Sequence, residues 1–318
     1  MLDVIFSVDV EVWCGGWQDI DRKFPAAFKR YIYGPGGSHG LPFQLQLLAD
    51  HGLKAVCFVE PLFSGRFGRA PLTEIVGLIE GSGHEVQLHL HTEWVDECLE
   101  PLLPNVSGKR QHLRHFNLAE QTQLLGVGID WLQQAGAPRP TAFRAGSFAF
   151  NQDTLTALAS QRIYVDCSYN ASMFGPTSGV SPAALLDQPR QIGAVLELPM
   201  TVYRDGRGLR HAQLTACSWP ELEHLLWQAL ASGHRSFMIL SHNFELLTSN
   251  QQSVDKTVLL RLQRLCAFLE RHADCFRVRG LRDGQLPVAS EPPARPLSSP
   301  LWRTGLRMAE QAWRRTYA

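Results

Sequence analysis

Phe6-Ser7-Val8-Asp9-Val10-Glu11-Val12-Trp13 decides the reading of this chain. Strand side chains alternate faces with a period of two, so Asp9 and Glu11 share one face while Val8 and Val10 pack on the other. The same rule applies to Val86-Gln87-Leu88-His89-Leu90-His91-Thr92-Glu93-Trp94, where His89 and His91 are co-facial and Leu88 and Leu90 lie between them. Acids and imidazoles are costly to desolvate unless a cation or a mutual contact compensates. Taken singly, each of these residues reads as a solvated strand end or a hydrogen-bonded core histidine. Two such pairs on apolar strands point instead to a shared metal site.

Outward from these segments, strands alternate with helices. The pattern predicts strands over 5–10, 54–59, 84–91, 141–144, 163–166, 195–199 and 236–240. Between them it predicts helices over 41–49, 73–80, 119–134, 153–160, 220–231 and 254–271. Repeated βα units of this number define an α/β protein with a parallel, barrel-like sheet of about seven strands. In such barrels chemistry sits at the C-terminal strand ends. Asp9, Glu11, His89, His91, Arg144 and His242 all fall at or just past separate predicted strand ends.

Composition bounds the function. With 318 residues, 45% of them apolar, the chain can build a large core. Lys and Arg total 30, as do Asp and Glu, so no global field favours nucleic acid. The seven cysteines (14, 57, 98, 167, 217, 266 and 275) are dispersed without a CxxC pair. That dispersal reads as reduced thiols in a cytoplasmic compartment. The first residues run straight into a strand, with no expected leader, and no apolar stretch approaches the roughly 20 residues of a membrane span.

One catalytic barrel is expected over 1–285, then a Pro-rich linker over 286–300 holding Pro287, Pro292, Pro293, Pro296 and Pro300. Residues 301–318 follow as a C-terminal amphipathic helix, with Trp302, Leu306, Ala309 and Trp313 on one face and Arg303, Arg307, Arg314 and Arg315 around it. Packing back on the barrel is its expected role. Peripheral membrane contact, or contact with a partner, is the alternative.

On these motifs, over roughly residues 2–280, the chain resembles the polysaccharide deacetylase family, also called the NodB homology domain or carbohydrate esterase family four. The resemblance implies a distorted (β/α) barrel and a metal-dependent hydrolase that removes acetyl groups from sugars. Ser7-Val8-Asp9-Val10-Glu11 resembles the family's first motif, which implies Asp9 as catalytic base and Glu11 as metal ligand, with the roles open to exchange. Gly83-His84-Glu85-Val86-Gln87-Leu88-His89 is similar to the second motif, whose two metal-binding histidines stand four apart. Here Glu93 occupies the fourth place after His89, so the third ligand is either His91 or Glu93.

Phe143-Arg144-Ala145-Gly146 resembles the third motif, whose arginine pairs with the catalytic aspartate. Asp166-Cys167-Ser168-Tyr169 looks like the strand-end segment that shapes the sugar groove. Met238-Ile239-Leu240-Ser241-His242 resembles the motif delivering the general acid. The resemblance thus implies a divalent ion, most plausibly zinc, and an N-acetylated sugar substrate. That sugar would be nucleotide-linked or lipid-linked during surface polysaccharide synthesis, with Trp13, Trp94, Asp166, Ser168 and Tyr169 contacting it. Two rival readings are an amidohydrolase built on His89-Leu90-His91 and an inactive barrel that only binds glycan or a partner.

Overall fold

The computed structural model describes residues 1–105, 108–181, 185–286, 288 and 296–317, with side chains to residue 314 in the last segment. In chain order the elements begin with β1 (Leu2–Val10), α1 (Ile20–Tyr33), α2 (Leu41–Asp50) and β2 (Ala55–Val59). Then come the single turn α3 (Ser64–Phe67), α4 (Ala70–Gly81), β3 (Glu85–Leu90), α5 (Leu118–Gln134), β4 (Ala142–Ala145) and α6 (Gln152–Ser160). The short strands β5 (Val165–Asp166), β6 (Arg190–Ile192), β7 (Val195–Glu197), β8 (Val202–Arg204) and β9 (Leu209–His211) follow. The chain closes with α7 (Trp219–Ala231), β10 (Ser236–His242), α8 (Lys256–Arg271), β11 (Phe276–Val278) and α9 (Leu301–Tyr317).

These elements fall into two compact units, one formed by Met1–Ala55, Thr201–Gly280 and Glu291–Ala318, the other by Val56–Met200 and Leu281–Ser290. In the first, β1 pairs in parallel with β10 from Asp3↔Ser236 to Asp9↔His242, and with β11 on Leu2–Val4. All nine residues of β1 are buried, as a parallel strand covered on both faces requires. Val4, Phe6, Val8, Phe237 and Ile239 belong to that core.

In the second unit the strand order is β2-β3-β4-β5-β7-β6, parallel throughout except for the antiparallel β6–β7 pair. Every residue of β2, β3 and β4 is buried. α5 opens on a reciprocal cap in which Asn117 and Glu120 each bond the other's backbone N–H.

Three features lie outside the sequence reading. Helix α1 carries Pro25 and five charged residues, which mask its helical spacing of Ile20, Phe24, Ala27, Phe28 and Tyr31 on a buried face. The β8–β9 hairpin turns at Asp205, whose Oδ1 accepts from the amides of Arg207 (2.9 Å) and Gly208 (3.1 Å). β11, only three residues long, adds a further parallel neighbour to β1.

Most of the linker expected over 286–300 lies outside the described residues. Its last part is held firmly: Arg204 N donates to Leu297 O (2.9 Å) and Ser299 N to Arg204 O (2.7 Å), extending the edge of β8. α9 then packs within the first unit through its polar side, not through the apolar face. Thr304 and Arg307 are buried, whereas Trp302, Leu306 and Trp313 are 60%, 55% and 61% exposed. The reason is electrostatic. Arg307 lies 2.6 Å from Asp205 and 3.3 Å from Glu221, both buried acids, and Arg314 lies 2.7 Å from Asp255. Among the described residues no helix is long and apolar enough to cross a membrane.

Candidate active site

Paired in register at the ends of β1 and β10, Asp9 and His242 reach the same edge of the first unit, with Glu11 just beyond the strand. One donor atom from each of Asp9, Glu11 and His242 lies within 4.8 Å of the others. Asp9 and Glu11 are buried at 3% and 7% exposure.

The loop that carries Glu11 is fixed from beneath. Asn243 Oδ1 accepts from Glu11 N (3.0 Å), and Asn243 Nδ2 donates to Glu11 O (3.0 Å) and Tyr31 O (2.8 Å). Gln44 Nε2 donates to Asn243 O (2.8 Å). Trp13 Nε1 donates to Glu11 Oε2 at 2.6 Å, which orients the carboxylate. The half-buried Trp13 ring in turn meets Trp17 edge-on at 6.0 Å.

His242 bonds through Nδ1 to Glu245 Oε2 at 2.9 Å. Burial alone would depress the imidazole, but the Glu245 hydrogen bond and charge, with Glu11 and Asp9 nearby, raise it to about 9. Burial likewise works against ionised Glu245, yet His242 and the Thr215 hydroxyl and amide hold it below the usual carboxylate range. Glu245 Oε1 also accepts from Gln213 Nε2 (3.0 Å) and Thr215 N (2.9 Å). A cavity of about 360 Å³ opens here, lined by Gln213, Thr215, His242, Phe244, Glu245 and Arg314, among others.

In the second unit His89 and His91 come together at the end of β3, their rings 4.9 Å apart and nearly perpendicular. His89 Nδ1 lies 2.7 Å from the Arg144 carbonyl, which can only accept, so Nδ1 donates the proton of that bond. His91 Nδ1 lies 3.3 Å from Glu93 Oε2, a carboxylate placed to orient the imidazole. Gly146 is required where it stands: a Cβ there would come within 2.7 Å of Leu90 O and 2.8 Å of His91 Nδ1.

Arg144 is fully buried, its guanidinium 4.2 Å from the Phe58 ring centroid and its Nε donating to Cys167 O (3.3 Å). Ser168 Oγ donates to Asp166 Oδ1 (2.6 Å) and accepts from Ala145 N (2.9 Å). Asp166 faces Glu197 across the β5–β7 pair. Burial pushes Asp166 up to about 6, and burial together with the Asp166 charge pushes Glu197 well above its usual range, so the two hold a proton between them.

Trp94, Asp166, Ser168 and Tyr169 have at most 1% exposure. Trp94 packs edge-on against Phe63 and Phe67, and the other three hold strand ends together. Of the five residues expected to contact sugar, Trp13 alone keeps an exposed part.

Sequence reasoning missed Glu245, Asn243, Gln44 and the tie from Trp13 to Glu11. Glu245 had a signal, an acid three residues after a strand-end histidine. Asn243 and Gln44 had none, because their partners are backbone groups distant in sequence.

Carboxylates and imidazoles are the donors that suit a zinc-class divalent ion. Both units bring such donors to strand ends with their other atoms already engaged, which is the arrangement metal ligands need.

No family model matches the sequence, and no curated protein matches it. Solved structures do match. A protein from Mycobacterium smegmatis described as a polysaccharide deacetylase has a TM-score of 0.52 at 18% identity, covering 90% of this chain and 95% of its own. A family 4 carbohydrate esterase from Streptomyces lividans in complex with acetate has a TM-score of 0.45 at 12% identity, over 90% and 96%. A family 4 pseudoenzyme from Bacillus anthracis has 0.38 at 13% identity, over 82% and 60%. The chain has the NodB-like fold of polysaccharide deacetylases, a distorted (β/α) barrel with a mostly parallel sheet.

Proposed function

We propose that this chain hydrolyses the acetamide of an N-acetylated sugar, releasing acetate and the free amine. Glu11, His89 and His91 would hold a divalent ion, with Glu93 orienting His91. When bound, such an ion supplies a Lewis acid for the carbonyl and lowers the pKa of water.

Asp9 takes a proton from the attacking water, whose oxygen bonds to the carbonyl carbon. His242 gives its proton to the sugar nitrogen as the C–N bond breaks, because an amine leaves only once protonated. Glu245 keeps that imidazole charged and aimed. Arg144 is read, on the resemblance, as the group that orients Asp9.

The observation that carries this reading is the grouping of Asp9, Glu11 and His242, with Glu245 raising the proton affinity of the histidine. Base and acid then come from adjacent strands, as cleavage of an amide demands. The chain is further read as cytoplasmic, which the dispersal of its cysteines without a CxxC pair supports. A nucleotide- or lipid-linked sugar fits that compartment.

Acetate release from a panel of N-acetylated sugars, with zinc, cobalt, nickel or manganese added, tests the reading. Release that is lost in Asp9→Asn, with metal still bound, is the expected result. Absence of acetate with every metal and sugar would remove it.

A further inference from the structure

We propose that α9 seats this chain on a lipid surface through its outward apolar face. At roughly 100° per residue, Leu301, Trp302, Leu306, Met308, Ala309 and Trp313 fall in one arc of about 160°, which Gly305 and Ala312 complete. Every one of these eight residues is exposed, Leu301 at 72% and Met308 at 39% among them. The arc holds no charged side chain. A surface helix of a globular protein normally turns its apolar stripe inward, so α9 is inverted.

The inversion is pinned. Arg307 sits between Asp205 and Glu221, Thr304 Oγ1 donates to Asp205 O (3.0 Å), and Arg314 pairs with Asp255. Arg303 bonds the Pro220 carbonyl and Arg261 bonds Glu310. Turning the apolar arc inward would break this set and strand buried acids. A contiguous apolar patch held outward in this way marks a docking surface.

Size selects the occupant. A helix of 17 residues is about 25 Å long, and one face of it offers on the order of 400 Å², half of what a stable protein partner covers. A lipid surface needs no shape complement, because apolar side chains sink about 5–10 Å into the headgroup boundary. Trp302 and Trp313, near opposite ends of the helix and about 20° apart around it, suit that boundary. Arg303, Arg307 and Arg314 are engaged within the first unit, so the apolar side chains of the arc carry the docking.

The same helix supplies Arg314 to the wall of the cavity at His242. Arg314 lies on the side of α9 opposite the arc, so docking would hold that cavity about one helix diameter, roughly 10 Å, from a surface on which a lipid-linked acetylated sugar is presented. This consequence rests on the function proposed above, whereas the docking does not.

Flotation of the full chain with phosphatidylglycerol-containing vesicles, against pure phosphatidylcholine vesicles and against a Trp302→Ser, Leu306→Ser variant, tests the proposal. We expect binding to vesicles of either composition that is at least about tenfold weaker for the variant. Met308→Ser, at a separate exposed position, should weaken binding in the same direction if the double variant melts early. Absence of flotation with either lipid, or undiminished flotation of both variants, overturns the proposal. Self-association that the substitutions abolish, without flotation, overturns it in favour of a second copy. Acetate release is not read in this experiment, so the function proposed above stands or falls separately.

Discussion

His242 and Glu245 form an imidazole–carboxylate pair, 2.9 Å apart, within a single turn after β10. The pair makes a histidine that ends an apolar strand a strong proton holder, since its carboxylate is itself anchored by Thr215 and Gln213.

That pair predicts a titration. In metal-free protein His242 should lose its proton at about pH 9, and Glu245→Gln should bring the midpoint down towards the ordinary value of 6.5. Because the folded pKa is raised, the pair's stabilisation is complete below about 6.5 and is lost as pH rises through about 9. Histidine NMR with denaturation against pH reads both, and an unchanged midpoint in the variant would refute the pairing.

Trp13→Phe keeps the aromatic bulk and removes the donor to Glu11. If Glu11 is a ligand, affinity for zinc should fall by about 10- to 100-fold with the fold intact. Calorimetric titration of the variant decides, and equal affinity would free Glu11 from this dependence.

Gly146→Ala forces a Cβ against the Leu90 carbonyl and the His91 ring. A loss of about 1–3 kcal/mol in chemical denaturation is expected, from overpacking of a closed site, together with weaker metal binding. A variant as stable as the parent would mean that the His91 loop yields easily.

Asp166 and Glu197 are raised chiefly by burial, so their contribution to stability changes with pH in the same direction as that of His242. The folded state holds protons that the unfolded chain releases, and stability falls as pH rises from about 4 through about 6. Glu197→Gln should flatten that fall, as measured by urea denaturation across pH. A slope identical to the parent's would exclude the shared proton.

Arg307→Ala leaves Asp205 and Glu221 buried without their cation. A cost of about 3–5 kcal/mol is expected, with α9 becoming open to protease before the rest of the chain. Simultaneous cleavage everywhere would show that the helix is no separate weak point.

Period-two alternation made the ends of β1 and β3 legible, and with them Asp9, Glu11, His89 and His91, while an apolar run ending at His242 marked β10. β5 shows the limit: expected over 163–166, it keeps only Val165–Asp166, because Ile163 follows the end of α6 as a turn residue bonded to Leu158 O. α1 escaped because a proline and several charges outweighed its buried stripe. Support of the site escaped almost entirely, since Asn243 and Gln44 act on carbonyls and amides that every residue type offers.

By itself the sequence determined the α/β alternation and which side chains end its strands, because burial forces apolar residues into the period of the element that carries them. Only the tertiary structure decided that Glu245 serves His242, that Trp13 holds Glu11, and that α9 shows its apolar side to solvent. Those outcomes depend on where charges and backbone groups from other parts of the chain come to rest. Local periodicity carries no record of them.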